Sequence, residues 1–399
     1  MQGAGGRGVA LRGRMNGQLD FDVIVAGAGA AGAAAAYHLA QAGLRVGVID
    51  KAPLPRYKAC GGAIPRPALK PFPFSFGPVI LAAPTAVRFT FPGLPEVEVP
   101  LPDRPVVLVR RSQFDSFLLD RSQAEVLAGV AVRGVIEDAD RVQVEAGERT
   151  FTARYLVGAD GAVSAVARAL GLRRRRQPGG AVEAEVPLGG DPGLREGYGN
   201  RALFALGVIP WGYAWVFPRG DHLSVGVCRL RPGRVDLRRA LGQEASRLGI
   251  SLDGVPIHGH PLPGYRAASW PWRQGQAQEK LATRRCLLVG DAAGLVDPLL
   301  GEGIRYALTS GRLAAEAILN GDLSGYERSV WREIGHSLAT ASLAASLFYR
   351  LPRLSYRLGV RNPATVRQFV DLLTEKVSYV GIGRRLIVTT IRWMLGRGD

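Results

Sequence analysis

Three cysteines, at positions 60, 228 and 286, are too few and too scattered among 399 residues for a disulfide framework or a zinc site. They suit a reducing cytosol. No stretch approaches the roughly 18 uninterrupted apolar residues of a membrane-spanning helix. The Gly/Arg-rich start lacks the apolar core of a secretory signal, so residues 1–19 are expected to be a disordered basic arm, with Met15 as a second candidate start. Histidine is scarce too. His258 and His260 share one face of a strand pattern, yet no third histidine, cysteine pair or acidic cluster accompanies them, so no metal is expected. No G-x-S-x-G elbow marks a serine hydrolase.

What is present is a large apolar core and a strong basic bias. A 47% hydrophobic share is ample for folding, and the length suits two or three structural units. Lys+Arg 51 against Asp+Glu 34 gives a formal net charge of +17, and only five of the basic residues are lysine. That balance fits anionic partners such as phospholipid headgroups, diphosphates or nucleic acid, or simply a GC-rich genome. The Arg173–Arg176 run reads as a solvated loop. No RNA- or DNA-binding module surrounds it, so nucleic acid is not expected.

The pattern FDVIVA at 21–26 predicts a buried strand that runs into Gly27-x-Gly29-x-x-Gly32 and then an Ala-rich helix. A second strand ends at Asp50. In this context each glycine has a mechanical role: the turn, the approach of a pyrophosphate to the backbone, and close packing of helix on strand. Asp50 stands where a carboxylate accepts hydrogen bonds from an adenosine ribose. Pro and Gly crowd residues 51–104, which predicts loops and edge strands. A helix is expected over residues 113–127 and strands over 130–144.

A midchain strand ends in Gly158-Ala-Asp160-Gly161. Another, from Cys286, ends in Gly290-Asp291 and leads to Gly301-Glu302-Gly303-Ile304 at a helix start. There, backbone N–H groups and the positive helix end favour a pyrophosphate or a reduced flavin ring. Three cofactor-shaped segments so far apart imply one long ligand, FAD rather than a nicotinamide dinucleotide held by a single βαβ half. No second G-x-G-x-x-G follows a strand pattern (the match at 3–8 lies in the Gly/Arg-rich arm), so NAD(P)H or ferredoxin would serve only as a transient reductant.

These segments, with Arg111-x-x-Phe114-Asp115, resemble the p-hydroxybenzoate-hydroxylase-type FAD superfamily. Within it, Lys58-Ala-Cys60-Gly61-Gly62, Tyr213-x-Trp215-x-Phe217-Pro218 and the GEGI form at 301–304 resemble the geranylgeranyl reductase family over residues 21–330. The resemblance implies an α/β fold. Its Rossmann-like FAD-binding domain takes residues 20–75, 105–171 and 276–330, and an antiparallel-sheet substrate domain takes 76–104 and 172–275. Outside the resemblance, the basic amphipathic pattern of residues 331–399 predicts a C-terminal helical region. The resemblance also implies cofactor-binding roles for Gly27, Gly29, Ala30, Ala31, Gly32, Asp50, Lys51, Cys60, Gly61, Gly62, Arg111, Asp160, Gly161, Gly290, Asp291, Gly301, Gly303 and Ile304. For Arg111 the alternative is a structural salt bridge to Asp115.

The implied reaction is hydride transfer from reduced flavin to an isolated C=C bond of a prenyl (geranylgeranyl-type) chain, with a proton delivered to the other carbon. Tyr213 and Trp215, two apart on one strand face, suit stabilisation of developing positive charge and a greasy wall, or plain core packing. Cys60, between Lys58 and two glycines, suits a proton donor or a small polar contact. The rival on the same scaffold is a flavin monooxygenase acting as hydroxylase, epoxidase or halogenase. A monomer acting on an isoprenoid is expected in the cytoplasm. The basic amphipathic patterns at 347–351, 384–387 and 391–395 also suit peripheral contact with an anionic membrane.

Overall fold

Five parallel strands, most deeply buried where the central three adjoin, form the heart of the first sheet. In order they are Glu125–Ala128, Val46–Asp50, Phe21–Ala26, Arg149–Gly158 and Cys286–Leu288. Val132–Glu137 and Val142–Ala146 add an antiparallel hairpin beside the first half of Arg149–Gly158. The computed structural model describes residues 19–172, 178–189, 192–264 and 280–373. The Arg173–Arg176 run, nearly all of the N-terminal arm, and the 384–387 and 391–395 patterns lie outside the described residues.

The Ala30–Gln41 helix starts where the first strand ends. Its alanines are small enough to let the Ile304–Leu319 helix lie close, with Gly311 seated against Ala31, Ala34 and Ala35. Gly32 makes the same economy toward the strand: a Cβ there would stand 1.9 Å from the Gly27 carbonyl oxygen. The expected helix over 113–127 is instead Arg111–Ser122. Gln123 takes a left-handed conformation (φ 58°), and the chain turns into the Glu125–Ala128 strand. Residues such as Ala124, Glu125 and Leu127 favour helices, but here an open parallel edge beside Val46–Asp50 claims them.

The second sheet has the order Ile257–Leu262, Gly179–Pro187, His222–Arg229, Gly212–Arg219, Arg201–Leu206, Ala86–Phe91 and Leu94–Pro100. Its pairs are antiparallel except Arg201–Leu206 with Ala86–Phe91. The period of two sorts its side chains. Val182, Ala214, Val216 and Val225 pack under the Leu237–Arg247 helix, while Ala181, Tyr213, Trp215, Phe217 and Cys228 share the other face. That second face meets Leu299 and the helices His336–Arg350 and Tyr356–Val360. A third sheet, Ala63–Pro65, Val106–Val109 and Ile80–Ala82, bridges the two larger ones. Among the described residues no helix is long and apolar enough to cross a membrane.

A Gly32→Ala substitution should lower the unfolding free energy by about 1–3 kcal/mol, since the methyl group must displace backbone. Urea denaturation of the purified protein measures this.

Candidate active site

At the carboxyl ends of the parallel strands, where open α/β sheets bind ligands, lies a cavity of about 580 Å³. The first strand and its helix contribute Gly27, Gly29, Ala30 and Ala31, and the second strand contributes Asp50 and Lys51. Cys60, Gly61, Arg111, Asp160 and Gly161 follow from the middle of the chain. Tyr213 and Trp215 come from the second sheet, and Asp291, Gly301, Gly303 and Ile304 close the far side. Gly32, Gly62 and Gly290 stand behind the wall and shape it through the backbone; Gly290 abuts Ala31 and Ala307.

Two helices aim their amino ends into this space. Gly29 and Gly303, the residues that precede them, offer no side-chain cap, so the N–H groups behind them are left for a ligand. Arg56, Lys58 and Arg111 add positive charge at the walls. A Cβ on Gly29 would crowd Arg56, at 3.2 Å. Asp50 is buried and held by the Ala28 and Ala52 N–H groups at 2.7 and 2.9 Å. Asp160 lines the cavity, and its carboxylate also accepts from Ser164 and from the Ala165 and Val166 N–H groups at the start of the Ala165–Ala169 helix.

Burial opposes the charge on Asp291, but Lys58 at 3.1 Å and His260 at 3.7 Å hold its carboxyl well below the usual carboxylate range. Burial lowers the pKa of His260, with Lys58 and Arg111 adding to the effect against the pull of Asp291. Burial works against Arg111 as well. Asp115, bound by two contacts of 2.9 Å, and the Cys60 thiol nevertheless keep the guanidinium charged. Arg111 is thus ion-paired to Asp115 and lines the cavity.

The 57–62 loop lies against the aromatic strand. A Cβ on Gly61 would meet the Phe217 ring at 2.8 Å, and Gly62 (φ +67°) passes so near Val109 that a Cβ would stand 2.1 Å from its carbonyl oxygen. The loop is tied down by Glu183, a carboxylate only 1% exposed. It accepts from the Cys60 N–H at 2.6 Å, the Tyr57 hydroxyl at 2.9 Å and the Ser224 hydroxyl. Arg219, also buried, pairs with Glu183 at 3.2 Å and with Glu185 at 3.1 Å, and donates to the Cys60 carbonyl. Burial raises the pKa of Glu183 against the pull of Arg219 and its hydrogen-bond donors. Ser224 in turn accepts the Trp215 indole N–H at 2.9 Å.

A second cavity, of about 140 Å³, opens behind Tyr213 and Phe217, which line both spaces. Its walls are apolar side chains and two tyrosines: Val87, Phe89, Ala202, Phe204 and Leu206 from the second sheet, Leu299 and Leu300, and Phe348, Tyr349 and Val360 from the C-terminal helices. Tyr213 donates its hydroxyl to the Leu300 carbonyl, and Tyr349 donates to that of Leu299 at 2.8 Å.

Four further residues, two lining the first cavity and two behind it, carried little signal in the sequence. His258 packs at a tilt against Tyr57 with ring centroids 4.2 Å apart, and His260 faces Asp291. Their i, i+2 spacing was visible, but not their target. Glu183 and Arg219 looked like ordinary strand charges. Among the described residues no group of three or more His, Cys, Asp or Glu could hold a metal ion.

Uncapped helix ends, the buried carboxylate of Asp50 and a cavity whose walls come from distant parts of the chain fit an extended flavin dinucleotide, and they define the class: an FAD-dependent oxidoreductase. Comparison with known proteins agrees. The pattern of FAD dependent oxidoreductases matches residues 22–64, and that of an FAD binding domain matches residues 107–208. A geranylgeranyl diphosphate reductase of Rhodobacter capsulatus is 31% identical over 328 residues, 75% of each chain. A menaquinone reductase of Mycobacterium tuberculosis is 34% identical over 368 residues, 87% of each chain. A solved geranylgeranyl bacteriochlorophyll reductase-like protein from Thermoplasma acidophilum superimposes with TM-score 0.70 at 22% identity, over 93% of this chain and 96% of that one. The halogenase PltM, at TM-score 0.62 and 18% identity, shares the fold. The chain belongs to the geranylgeranyl reductase family.

Glu183→Ala would leave Arg219 buried with half its ion pairing. The expected cost is about 3 kcal/mol of stability, read from urea denaturation beside the parent protein.

Proposed function

We propose that this oxidoreductase saturates isolated C=C bonds in the polyprenyl chain of a lipid or quinone. The observation that carries the reading is the apolar chamber that shares Tyr213 and Phe217 with the cofactor cavity, so an alkene can lie in grease next to a redox centre. Family relatives named for geranylgeranyl diphosphate and for menaquinone support it, because both molecules carry chains of this kind. FAD, when bound and reduced, supplies the hydride equivalent.

The protein's own residues divide the remaining work. Ala30, Ala31 and Ile304 would offer N–H groups to the dinucleotide, and Asp50 would accept from its ribose. Tyr213 and Trp215 hold their own protons in hydrogen bonds to Leu300 and Ser224, and burial pushes the Tyr213 hydroxyl well above its ordinary value. They serve as a wall whose ring faces tolerate positive charge at the alkene. The proton then falls to Cys60, a cavity-lining thiol whose backbone is fixed at both ends by Glu183 and Arg219. The chamber walls exclude water from the reacting bond.

Dithionite-reduced holoenzyme, incubated without oxygen with geranylgeranyl diphosphate or menaquinone, should yield a product heavier by two hydrogens per bond. Cys60→Ala should keep its flavin and lose about 10²-fold in rate. A product heavier by one oxygen, or turnover that requires oxygen, would make the enzyme a monooxygenase instead.

A further inference from the structure

The helices that wall the apolar chamber have an outer side as well. Leu343, Leu347, Leu351 and Leu354, spaced four, four and three residues apart, are 47%, 66%, 50% and 49% exposed. They form a ridge along the His336–Arg350 and Pro352–Ser355 helices. The opposite side of the longer helix, Ala341, Ala345 and Tyr349, is buried against the second sheet, so the ridge is not a misassigned core face. Aliphatic side chains left in water in a row mark a surface that meets something apolar.

Charge decides what that something is. Residues 334–370 contain Arg350, Arg353, Arg357, Arg361 and Arg367 and no Asp or Glu. All five arginines are exposed. Arg231 from the second sheet joins them: it reaches Ser346 at 3.0 Å and lies near enough to Arg350 for the like charges to repel. Leucines flanked by arginines alone match a phospholipid surface, with acyl chains for the ridge and anionic headgroups for its flanks. A second copy of this chain would bring the same repelling cations.

We infer that the outer face of residues 343–357 is a lipid-docking surface, on which the ridge leucines enter the acyl region of an anionic bilayer and Arg350, Arg353 and Arg357 contact its headgroups. The inference deepens the prenyl-chain reading by naming the side from which substrate is drawn. Phe348, Tyr349 and Val360, on the same helical segment, line the chamber. A chain leaving the bilayer therefore has one helix thickness to cross.

The test is sedimentation of the full-length holoenzyme with substrate-free vesicles, so its outcome is separate from that of the alkene assay. Wild-type protein should pellet with phosphatidylglycerol-containing vesicles at low salt, and weakly with pure phosphatidylcholine or at high salt. The L343Q/L347Q/L351Q/L354Q variant should bind at least about tenfold less, and R350Q/R353Q/R357Q should lose the preference for anionic lipid. The single variant Leu347→Gln, at the most exposed position, should show a smaller loss with flavin content and melting temperature unchanged. Wild-type protein that stays in the supernatant at low salt, or leucine variants that pellet like wild type, would overturn the inference. So would light scattering that shows a dimer which the leucine substitutions split.

Discussion

The buried pair of Glu183 and Arg219 holds the site together. Neither charge reaches water, so each depends on the other and on the hydrogen bonds around the pair. Those bonds go to the 57–62 loop on one side and to Ser224 on the other, while the Arg219 Nε is left without a partner among the described residues. The loop enters from the edge of the parallel sheet, and the pair belongs to the antiparallel one. Removing water from both ions fixes the position of the loop more sharply than apolar contact could, because a carboxylate and a guanidinium accept few geometries. Cys60 and Trp215 thereby keep a constant separation, with one carboxylate bound to the backbone of the first and, through Ser224, to the ring of the second.

A second junction lies at residues 297–301. Asp297 accepts from the Leu299 and Leu300 N–H groups at 2.8 Å each, and tyrosines from two different regions take the carbonyls of the same residues. The turn leads directly to Gly303 and the Ile304–Leu319 helix, whose amino end faces the cofactor cavity. Packing of the C-terminal helices and geometry at the flavin site are thus mechanically joined. Tyr213, one of the two side chains that line both cavities, also holds this turn.

Much of the frame was legible because it is local. The 27–32 loop, the strand ending at Asp50 and the alternation that puts Tyr213, Trp215 and Phe217 on one face depend on spacing within a few residues. The glycines at 61 and 62 were visible as a motif, and the structure supplies the reason: Phe217 and Val109 leave no room for side chains. What escaped was long-range. Glu183 meets Cys60 across 123 positions of sequence, and Lys58 meets Asp291 across 233, distances over which no periodicity operates. Gln123 escaped for a related reason, since the strand that ends the helix early exists only because a parallel neighbour is waiting. Asp160 stands on the cavity wall where the motif put it, but its bonds to residues 164–166 were not legible.

The order of the strands along the chain bears on biosynthesis. The sheet that cradles the dinucleotide is begun at Phe21 and is not completed until Cys286–Leu288 slides in beside Arg149–Gly158, with the second helix end following at Ile304. A nascent polypeptide therefore carries an unfinished parallel edge for most of its translation, and tight cofactor capture must wait until some three-quarters of the protein has left the ribosome. The cavity walls come from early, middle and late segments, so the binding energy of a ligand held there would stabilise the whole assembly at once. Flavin supply and the yield of folded enzyme are coupled by topology alone.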